Sequence, residues 1–384
     1  MPYCLLVSKL RAVAFYLPQF HPIPENNKWW GMGFTEWTNV VKAKSLFAGH
    51  QQPHLPADLG FYDLRHNETR AAQAQLASEY GISAFCYWHY WFNSRRILER
   101  PFDEVLASGE PDFPFMLAWA NENWTRTWDG GNEKQLLTQN YSDEDDIQHM
   151  VWLCKAFADS RYLRIDGRPV YAVYRASLLP NIMNTTTTWR RVAREQGIGE
   201  IYLCRIDSHD LYRPDPALQG FDAAIEFQPD VVRFGEQIRP PKIGRAIRRV
   251  FRPNSVYRIH DVRMYSELVE NSILARTNFF RYRGVTPSWD NSARRHAGAR
   301  IFKGATPALY ERWLTNVVQN FQPRTPDENL VFINAWNEWA EGNHLEPDTL
   351  YGRGYLEATR RALSWPGTVE TERQINDVHV SEGL

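Results

Sequence analysis

The chain has 384 residues, a length that fits either one α/β barrel or two average domains. Its 44 basic and 45 acidic residues nearly cancel, so its net charge does not point to nucleic acid as a partner. Aromatic residues make up 14% of the chain, including 15 Trp, which is more than an ordinary core requires.

The cysteines, Cys4, Cys86, Cys154 and Cys204, lack the spacing of a zinc site or a disulfide framework. We expect buried free thiols in a reducing compartment. The apolar patch at residues 3–7 is shorter than the core of a signal peptide, and no apolar run approaches the ~20 residues of a membrane span. These features predict a cytoplasmic protein.

Eight apolar segments have the composition of buried strands, and helical patterns separate most of them. The predicted strands are residues 11–20, 82–92, 113–123, 169–174, 200–207, 222–228, 279–285 and 330–336. The predicted helices are residues 67–80, 97–107, 143–160, 188–196, 266–276, 306–321 and 355–363. The connection between the fifth and sixth strands is the weakest unit, because residues 210–219 contain two prolines. The alternation fits a (β/α)8 barrel, and a doubly wound sheet would alternate in the same way.

Polar residues favour the barrel because they recur at the carboxyl ends of the predicted strands, where such barrels place their active sites. They are Gln19, His21, His89, Asn121, Glu122, Asp207, Glu226, Gln228, Asp290, Asn291, Asn337 and Glu338. We therefore expect an α/β fold, a single (β/α)8 TIM barrel over residues 1–365, with long loops on its carboxyl-terminal face. The polar residues 366–384 are expected to form a disordered tail.

A basic insertion at residues 233–263 interrupts this pattern, with nine basic and two acidic residues. Within it, Ile243, Ile247 and Val250 fall at helical spacing, with Lys and Arg on the other face. This is the pattern of an amphipathic helix able to contact an anionic membrane or a phosphate-bearing acceptor through residues 239–252. A solvated helix packed on the barrel explains it equally well. A peripheral location at the inner membrane follows from the first interpretation.

Two carboxylates, Glu338 and Glu341, follow the last predicted strand and stand among tryptophans. Residues three apart point to opposite faces of a strand, whereas a helical turn places them on one side. Gly342 is compatible with a tight reversal there. If both glutamates face one cleft, their repulsion raises one pKa and gives an acid beside a base.

Two other carboxylates at strand ends leave the pairing open. Ordinary retaining glycosidases place their two carboxyl groups about 5–5.5 Å apart across the scissile bond, usually on different strands. Glu122 could therefore pair with Glu338, and Glu226 lies at the same predicted rim. The sequence does not rank these pairings.

Long motifs resemble two related families. Residues 335–342, AWNEWAEG, resemble the N-E-W-x-E-G signature of glycoside hydrolase family 99, the endo-α-mannosidases. Most of the chain also resembles the WbsX-type proteins, described as glycosyltransferases of bacterial polysaccharide biosynthesis. The segments that carry this second resemblance are FYLPQFHP at 15–22, WWGMGFTEWTNV at 29–40, FCYWHYWF at 85–92, LAWANENWTRTWDG at 117–130, GVTPSWDN at 284–291 and FINAWNEWAEGNHLEPD at 332–348.

The resemblance implies a (β/α)8 barrel that uses no metal and no cofactor. It also implies that Glu338 is the base on the sugar's 2-hydroxyl, which closes on C1 to form a 1,2-anhydro sugar. Glu341 would be the general acid/base at the glycosidic oxygen. The chain departs from the family 99 pattern at Ala340, where that family has His, and this weakens the inference of mannose specificity.

The remaining predicted site residues bind the substrate, an oligosaccharide or polysaccharide, through ring stacking and hydroxyl hydrogen bonds. They are Glu36, Trp37, His89, Trp91, Trp119, Asn121, Glu122, Trp124, Trp128, Glu226, Trp289, Asp290, Asn291, Trp336 and Asn337. Three functions remain open. The first is a retaining glycosidase or transglycosylase acting on an α-linked, mannose-like glycan. The second is a glycosyltransferase of O-antigen or other surface polysaccharide assembly with a lipid-linked acceptor, and the third is a carbohydrate-binding protein without turnover.

Overall fold

Eight parallel strands close into a barrel in the computed structural model, which describes residues 10–125, 135–208, 210–239 and 256–364. The strands are β1 (Arg11–Tyr16), β2 (Ile82–Phe92), β3 (Phe115–Trp119), β4 (Arg168–Val173), β5 (Tyr202–Asp207), β6 (Ala223–Glu226), β7 (Arg281–Val285) and β8 (Leu330–Ile333). Each pairs with the next, and β1 also pairs with β8, with Ala12 opposite Val331. This closure confirms the (β/α)8 prediction and excludes the doubly wound sheet.

The strands read as continuous apolar runs because helices and the barrel interior cover both of their faces. In β2, all residues except Ser83 and Tyr90 are buried, and the predicted bounds of this strand match at both ends. The first predicted strand extends too far, since β1 ends at Tyr16. Residues 17–20 leave the sheet and form part of the rim, so Gln19 is buried outside the barrel wall.

Helices connect most of the strands. They are α1 (Pro24–Trp30), α2 (Glu36–Lys42), α3 (Asn67–Glu79), α4 (Arg100–Ser108), α5 (Asp143–Phe157), α6 (Ile182–Glu195), α7 (Val256–Ile259), α8 (Tyr265–Ile273), α9 (Pro307–Asn320) and α10 (Gly354–Leu363). Between β5 and β6 the described residues hold a 3-10 helix, Pro216–Gln219, in agreement with the weak fifth unit. The short helices α1 and α2 were not predicted from the sequence. Thr35 begins α2 with a capping box, in which its side chain and that of Thr38 bond each other's backbone N–H.

The loops contain further short strands and 3-10 helices. The strands are Arg95–Ile97, Trp124–Thr125, Gln135–Leu137, Arg164–Ile165, Asp261–Met264, Arg300–Lys303, Asn337–Glu338 and Asn343–His344. The other 3-10 helices are Ala176–Leu178, Val231–Arg233, Asn291–Ala293, Pro326–Glu328 and Trp339–Glu341.

Parts of the basic insertion and the tail lie outside the described residues. The helix predicted around residues 243–251 and the polar residues 366–384 belong to those parts. The strand Asp261–Met264 at the end of the insertion pairs with Arg300–Lys303, which fixes that end on the loop after β7. Across the described ranges, no helix combines the length and apolarity needed to cross a membrane. Cys86, Cys154 and Cys204 are buried free thiols, whereas Cys4 is not described.

Candidate active site

The chain turns sharply after β8 and places two glutamates on one side. Strand Asn337–Glu338 pairs with the antiparallel Asn343–His344, and the 3-10 helix Trp339–Glu341 lies between them. Residues three apart eclipse one another in a 3-10 helix, so this geometry supplies the helical turn that the Glu338 and Glu341 pair requires. Gly342 ends the turn in the left-handed region, at φ +56°.

Neighbouring loops hold the turn in place. The Asn337 side chain accepts a hydrogen bond from the Leu17 backbone N–H at 2.7 Å and donates one to the Leu17 carbonyl at 3.1 Å. The Asp290 N–H donates to the Glu341 carbonyl at 2.6 Å. A Cβ at Gly342 would lie 3.0 Å from the Asp290 Cβ, so this position has no free space for a side chain. The two catalytic candidates therefore sit on a backbone that is fixed from both sides.

Arg294 contacts three carboxylates at once. Its Nε donates to Glu36 at 2.7 Å, its Nη2 to Glu338 at 2.8 Å, and its Nη1 lies 2.6 Å from Glu341. Glu36 is the first residue of α2 and is fully buried. We call Arg294 with Glu36, Glu338 and Glu341 the catalytic cluster. A guanidinium presents donors in a rigid planar fork, which explains how one side chain orients all three carboxylates.

The catalytic cluster sets three carboxyl groups against one guanidinium, and two of the carboxyl groups, those of Glu338 and Glu341, have raised pKa values. Burial raises the pKa of Glu338 well above its ordinary value, and Glu341 and Glu36 raise it further against the attraction of Arg294. Burial and Glu36 also raise the pKa of Glu341. Two interacting carboxyl groups with raised pKa values can hold one proton between them, an arrangement that provides one acid and one base.

A cavity of about 420 Å³ opens beside the cluster at the carboxyl ends of the strands. Its volume is within the range of small-molecule sites. Six predicted site residues line it: Glu122, Trp124, Trp289, Asn291, Glu338 and Glu341. Glu122 forms an ion pair with Arg175, and the Asn291 side chain accepts a hydrogen bond from the Arg300 N–H at 2.8 Å. The cavity thus joins carboxylates, an amide and indole rings, the groups that bind sugars.

A second cavity of about 480 Å³ shares part of this wall, namely Trp124, Arg294 and Arg295. Its described lining includes no Asp or Glu. Its other basic and imidazole side chains are Lys42, Lys44, His260 and His296. The first cavity is therefore rich in carboxylates, whereas the adjoining second cavity is basic.

Comparison with known proteins assigns the family. The family model described as "Glycosyltransferase WbsX" matches residues 12–359. The chain belongs to this WbsX family. The chain is also similar to proteins described as "Uncharacterized protein WxcX" in two strains of Xanthomonas campestris pv. campestris, each 45% identical over 361 residues, or 94% of this chain and 50% of the relative. The chain thus spans about half the length of the curated relatives it matches.

Solved structures of glycoside hydrolases share the fold of this WbsX family member. A "Glycoside hydrolase-like protein" superposes with a TM-score of 0.56 at 16% identity, covering 94% of this chain and 96% of the other. The GH99 endo-α-mannosidase from Bacteroides thetaiotaomicron, in complex with bis-tris-propane, gives a TM-score of 0.55 at 10% identity, covering 92% and 96%. At these identities the likeness shows a common fold.

Several of the predicted stacking tryptophans lie in the core of the WbsX chain, away from both cavities. Trp119 and Trp336 are fully buried. Trp37 donates its indole N–H to the Tyr62 carbonyl at 2.8 Å, and Trp91 donates to Asp145 at 3.0 Å. These four rings are buried, and none of them lines either cavity. Trp128 lies outside the described residues.

Five polar residues predicted to bind substrate also lie away from the cavity walls, where they form hydrogen bonds and ion pairs within the protein. His89 bonds His149 at 3.0 Å, the Asn121 side chain accepts from the Arg175 N–H at 2.7 Å, and Asp290 contacts His50 at 2.6 Å. Asn337 ties the catalytic turn to residue 17, and Glu226 pairs with two arginines of β7. Glu36 likewise lines neither cavity and reaches the site through Arg294. Ala340 is fully buried.

The sequence interpretation missed Arg294, Tyr90 and Tyr174, which all line the first cavity. Arg294 follows the polar segment Trp289–Asn291 by three residues, and a basic residue so close to a strand-end carboxylate was an available signal. Tyr90 is one of two β2 residues that are not fully buried, and no sequence pattern separates it from its aromatic neighbours.

Proposed function

We propose that this WbsX family member breaks and forms glycosidic bonds with retention, as a glycosidase or transglycosylase acting on an α-linked, mannose-like glycan. The observation that carries the proposal is the catalytic cluster, in which Glu338 and Glu341 share one turn, one guanidinium and one cavity wall. Carboxyl groups on the same side suit a reaction in which both act on neighbouring oxygens of one sugar. Ordinary retaining enzymes instead place them across the scissile bond.

The proposed reaction has two steps. Glu338 removes the proton of the sugar 2-hydroxyl, O2 attacks C1, and the bond from C1 to the leaving oxygen breaks as Glu341 protonates that oxygen. Glu341 then takes the proton of the incoming water or hydroxyl, whose oxygen attacks C1. The bond from C1 to O2 breaks, and Glu338 returns the proton to O2. Two inversions at C1 give net retention, and both glutamates end as they began.

Arg294 has a positioning role in this proposal. Its fork holds the two glutamates at 2.8 and 2.6 Å, and its third contact fixes it to Glu36 on α2. The guanidinium stabilises the ionised form of whichever glutamate lacks the proton. The reaction begins with Glu338 ionised and with Glu341 carrying the proton that moves to the leaving group. Because the pKa of Glu338 is raised, the population of this reactive form grows as pH rises toward that pKa.

A matched pair of donors tests the assignment. An aryl α-mannoside with a good leaving group is offered beside its 2-deoxy analogue, and product anomers are followed by NMR. We expect turnover of the parent sugar with retention and none of the 2-deoxy sugar, since the latter has no O2 to attack C1. Turnover of both would exclude the base role of Glu338. Glycan binding without cleavage or transfer in wild type would favour a binding protein.

The same donor distinguishes the two carboxylate pairings. If Glu122 is the partner of Glu338, Glu122→Gln should abolish turnover as completely as Glu341→Gln. We expect Glu122→Gln to keep most of the activity, because its half-exposed carboxylate is ion-paired with Arg175 and lies outside the catalytic cluster.

The basic second cavity favours a second candidate function, transfer of the glycosyl group to an acceptor that bears phosphate. It adjoins the catalytic wall through Arg294 and Arg295, and Lys42 and Lys44 add positive charge. The test compares transfer to an alkyl phosphate-linked disaccharide and to the matching uncharged alkyl glycoside. We expect the double variant Lys42→Ala/Lys44→Ala to raise KM for the charged acceptor alone, by roughly tenfold. An equal effect on both acceptors would exclude this function for the cavity.

A further inference from the structure

Three metal-ligating side chains converge behind the catalytic turn. The Nδ1 atom of His54 lies 3.0 Å from the Nε2 atom of His344, which in turn lies 3.8 Å from Oδ2 of Asp348. All three ligand atoms are within 4.8 Å of one another. His344 and Asp348 are buried, and His54 is partly exposed. None of the three lines either cavity described above.

His54 Nδ1–H donates to His344 Nε2 across the centre of the cluster, and a bound ion would replace this proton. The surrounding hydrogen bonds fix His344 Nε2 and Asp348 Oδ2 as the electron-pair donors that face the centre. His344 Nδ1 lies 2.9 Å from the Glu346 carbonyl, which can only accept, so Nδ1 carries the proton and Nε2 keeps its lone pair. Such a bond to a backbone carbonyl is the usual support of a metal-binding histidine. In Asp348, Oδ1 accepts the N–H groups of Leu350 and Tyr351, at 2.8 and 2.6 Å, while Oδ2 faces His344.

We propose that His54, His344 and Asp348 bind one divalent transition metal ion, with Zn²⁺ as the ion that best fits the site. Two imidazoles and one carboxylate are ordinary zinc ligands, and typical bond lengths of 2.0–2.2 Å need only small side-chain movements from the present separations. This site is an addition to the metal-free chemistry that the family resemblance implies.

A second histidine pair shows which feature is particular to this cluster. His89 and His149 are also 3.0 Å apart and buried. Among the described residues, however, no carboxylate or thiol joins them in a set of three ligands. A hydrogen bond between two neutral imidazoles explains the His89 pair without a metal. The Asp348 carboxylate is what the second pair lacks.

The position of the site indicates a structural role. Thr349 N–H donates to the Leu55 carbonyl, and Ala57 N–H to the Pro347 carbonyl, both at 2.9 Å, so the site joins two loops that already pair. His344 also stacks on Trp339, with ring centroids 3.8 Å apart. Since Trp339 lies between the two catalytic glutamates, a bound ion would fix the back of the turn that carries them.

The test measures metal binding on the full-length chain after removal of metal with a chelator. Zn²⁺ is titrated by calorimetry, and Tm is recorded with and without the ion. We expect one Zn²⁺ per chain, a rise in Tm of about 2–5 °C at saturation, and at least a roughly tenfold loss of affinity in Asp348→Asn and His54→Gln. These readouts do not depend on glycan turnover, so they stand apart from the proposed function.

Two controls keep the result specific. His66→Gln removes an exposed histidine at the start of α3 and should bind Zn²⁺ as wild type does. Asp348→Asn keeps the Oδ1 acceptor of the two N–H groups, so the metal-free variant should melt near the metal-free wild type. Co²⁺ bound to wild type should show d–d bands without thiolate charge-transfer absorption. Absence of stoichiometric binding, unchanged affinity in both ligand variants, or a thiolate band would overturn the proposal.

Discussion

Two buried clusters of arginine and carboxylate, one at the turn after β8 and one between the end of β6 and β7, have opposite charge ratios. In the catalytic cluster, Arg294 contacts three glutamates. In the second, which we call the β6–β7 cluster, Glu226 contacts two arginines, Arg281 at 3.0 Å and Arg283 at 2.8 Å. Both are built from groups far apart in the chain, and both are shielded from solvent.

The charge ratio decides how each cluster titrates. Burial alone would raise the pKa of Glu226, but Arg281 and Arg283 outweigh burial and lower it. In the catalytic cluster, burial and the neighbouring carboxylates outweigh Arg294, and the pKa of Glu338 is raised. A buried glutamate surrounded by more cations than anions stays ionised and stabilises the fold through ion pairs. Buried glutamates surrounded by more anions than cations bind a proton more tightly, and this proton can be transferred. Burial by itself therefore does not identify a catalytic carboxyl.

The largest expected effect comes from removing the carboxyl group of Glu341, the proposed acid/base. Glu341→Gln keeps the size of the side chain but cannot donate or accept the transferred proton. We expect kcat/KM on an aryl α-mannoside to fall by roughly 10²–10⁴-fold, with the Tm close to that of wild type. Initial rates and a thermal melt measure the two quantities. Unchanged kcat/KM would show that the acid/base assignment is wrong.

The corresponding change in the β6–β7 cluster should act on stability. Glu226→Gln removes the carboxylate that Arg281 and Arg283 both contact and, among the described residues, leaves Arg281 with only Asp207, at 3.7 Å. We expect this loss to cost about 3–5 kcal/mol of unfolding free energy. Urea denaturation measures this cost. Glu122→Gln is the control, because it breaks a partly exposed ion pair whose loss costs about 1 kcal/mol or less. Equal stability of the two variants would contradict a structural role for Glu226.

The sequence predicted the barrel because each strand is specified locally. β2 is a mostly apolar run followed by polar residues, and the strand in the structure has the bounds that the sequence predicts. The spacing of Glu338 and Glu341, followed by Gly342, was compatible with a turn of five residues, and the structure forms this turn. Features that depend on a few neighbouring residues were therefore open to prediction.

Features that depend on contacts between residues far apart in the chain could not be predicted from the sequence. Trp119 and Trp124 belong to one motif, five residues apart, yet Trp119 is core and Trp124 lines both cavities. Arg294 is 258 residues from its partner Glu36, so no local pattern identifies the ion pair that organises the site. Likewise, the sequence places Glu226 at a strand end, as for a site carboxylate, and only the structure shows that the arginines of β7 pair with it.

The dependence of stability on pH gives a direct comparison of the two clusters. The folded pKa of Glu338 is raised, so its contribution to stability is present at low pH and is lost as pH rises through the folded pKa. Glu338→Gln replaces the ionisable carboxyl group with a neutral amide, so the variant does not lose folding stability through ionisation at this position. We expect its stability relative to wild type to improve by about 1–2 kcal/mol between pH 5 and pH 8.

For Glu226→Gln, the stability difference from wild type should change with pH in the opposite direction. The folded pKa of Glu226 is lowered, so its stabilisation is present above the ordinary carboxyl pKa and is lost as pH falls through the folded value. The deficit of this variant should shrink in acid and stay constant from pH 5 to pH 8. Denaturant titrations at pH 3, 5 and 8 test both variants. Parallel pH curves for the two would show that the charge ratio does not control their titration.

The smallest expected effect on stability tests the backbone that carries the catalytic cluster. Gly342 and Gly352 have nearly equal left-handed φ values, +56° and +55°. A Cβ at Gly342 would lie 3.0 Å from the Asp290 Cβ and 3.1 Å from its carbonyl oxygen, whereas a Cβ at Gly352 would meet no atom within 4 Å. Both Ala variants should lose about 1 kcal/mol from backbone strain.

The contact with Asp290 should add an effect at Gly342 alone. Because Asp290 N–H bonds the Glu341 carbonyl at 2.6 Å, displacing Asp290 also displaces the acid/base group. A misplacement of about 1 Å in a catalytic group can cost up to roughly 10²-fold in rate. We therefore expect Gly342→Ala to lower kcat while Gly352→Ala leaves it unchanged, as measured on the same aryl glycoside. Equal rates in the two variants would show that the turn tolerates movement and that Arg294, rather than the backbone, sets the position of Glu341.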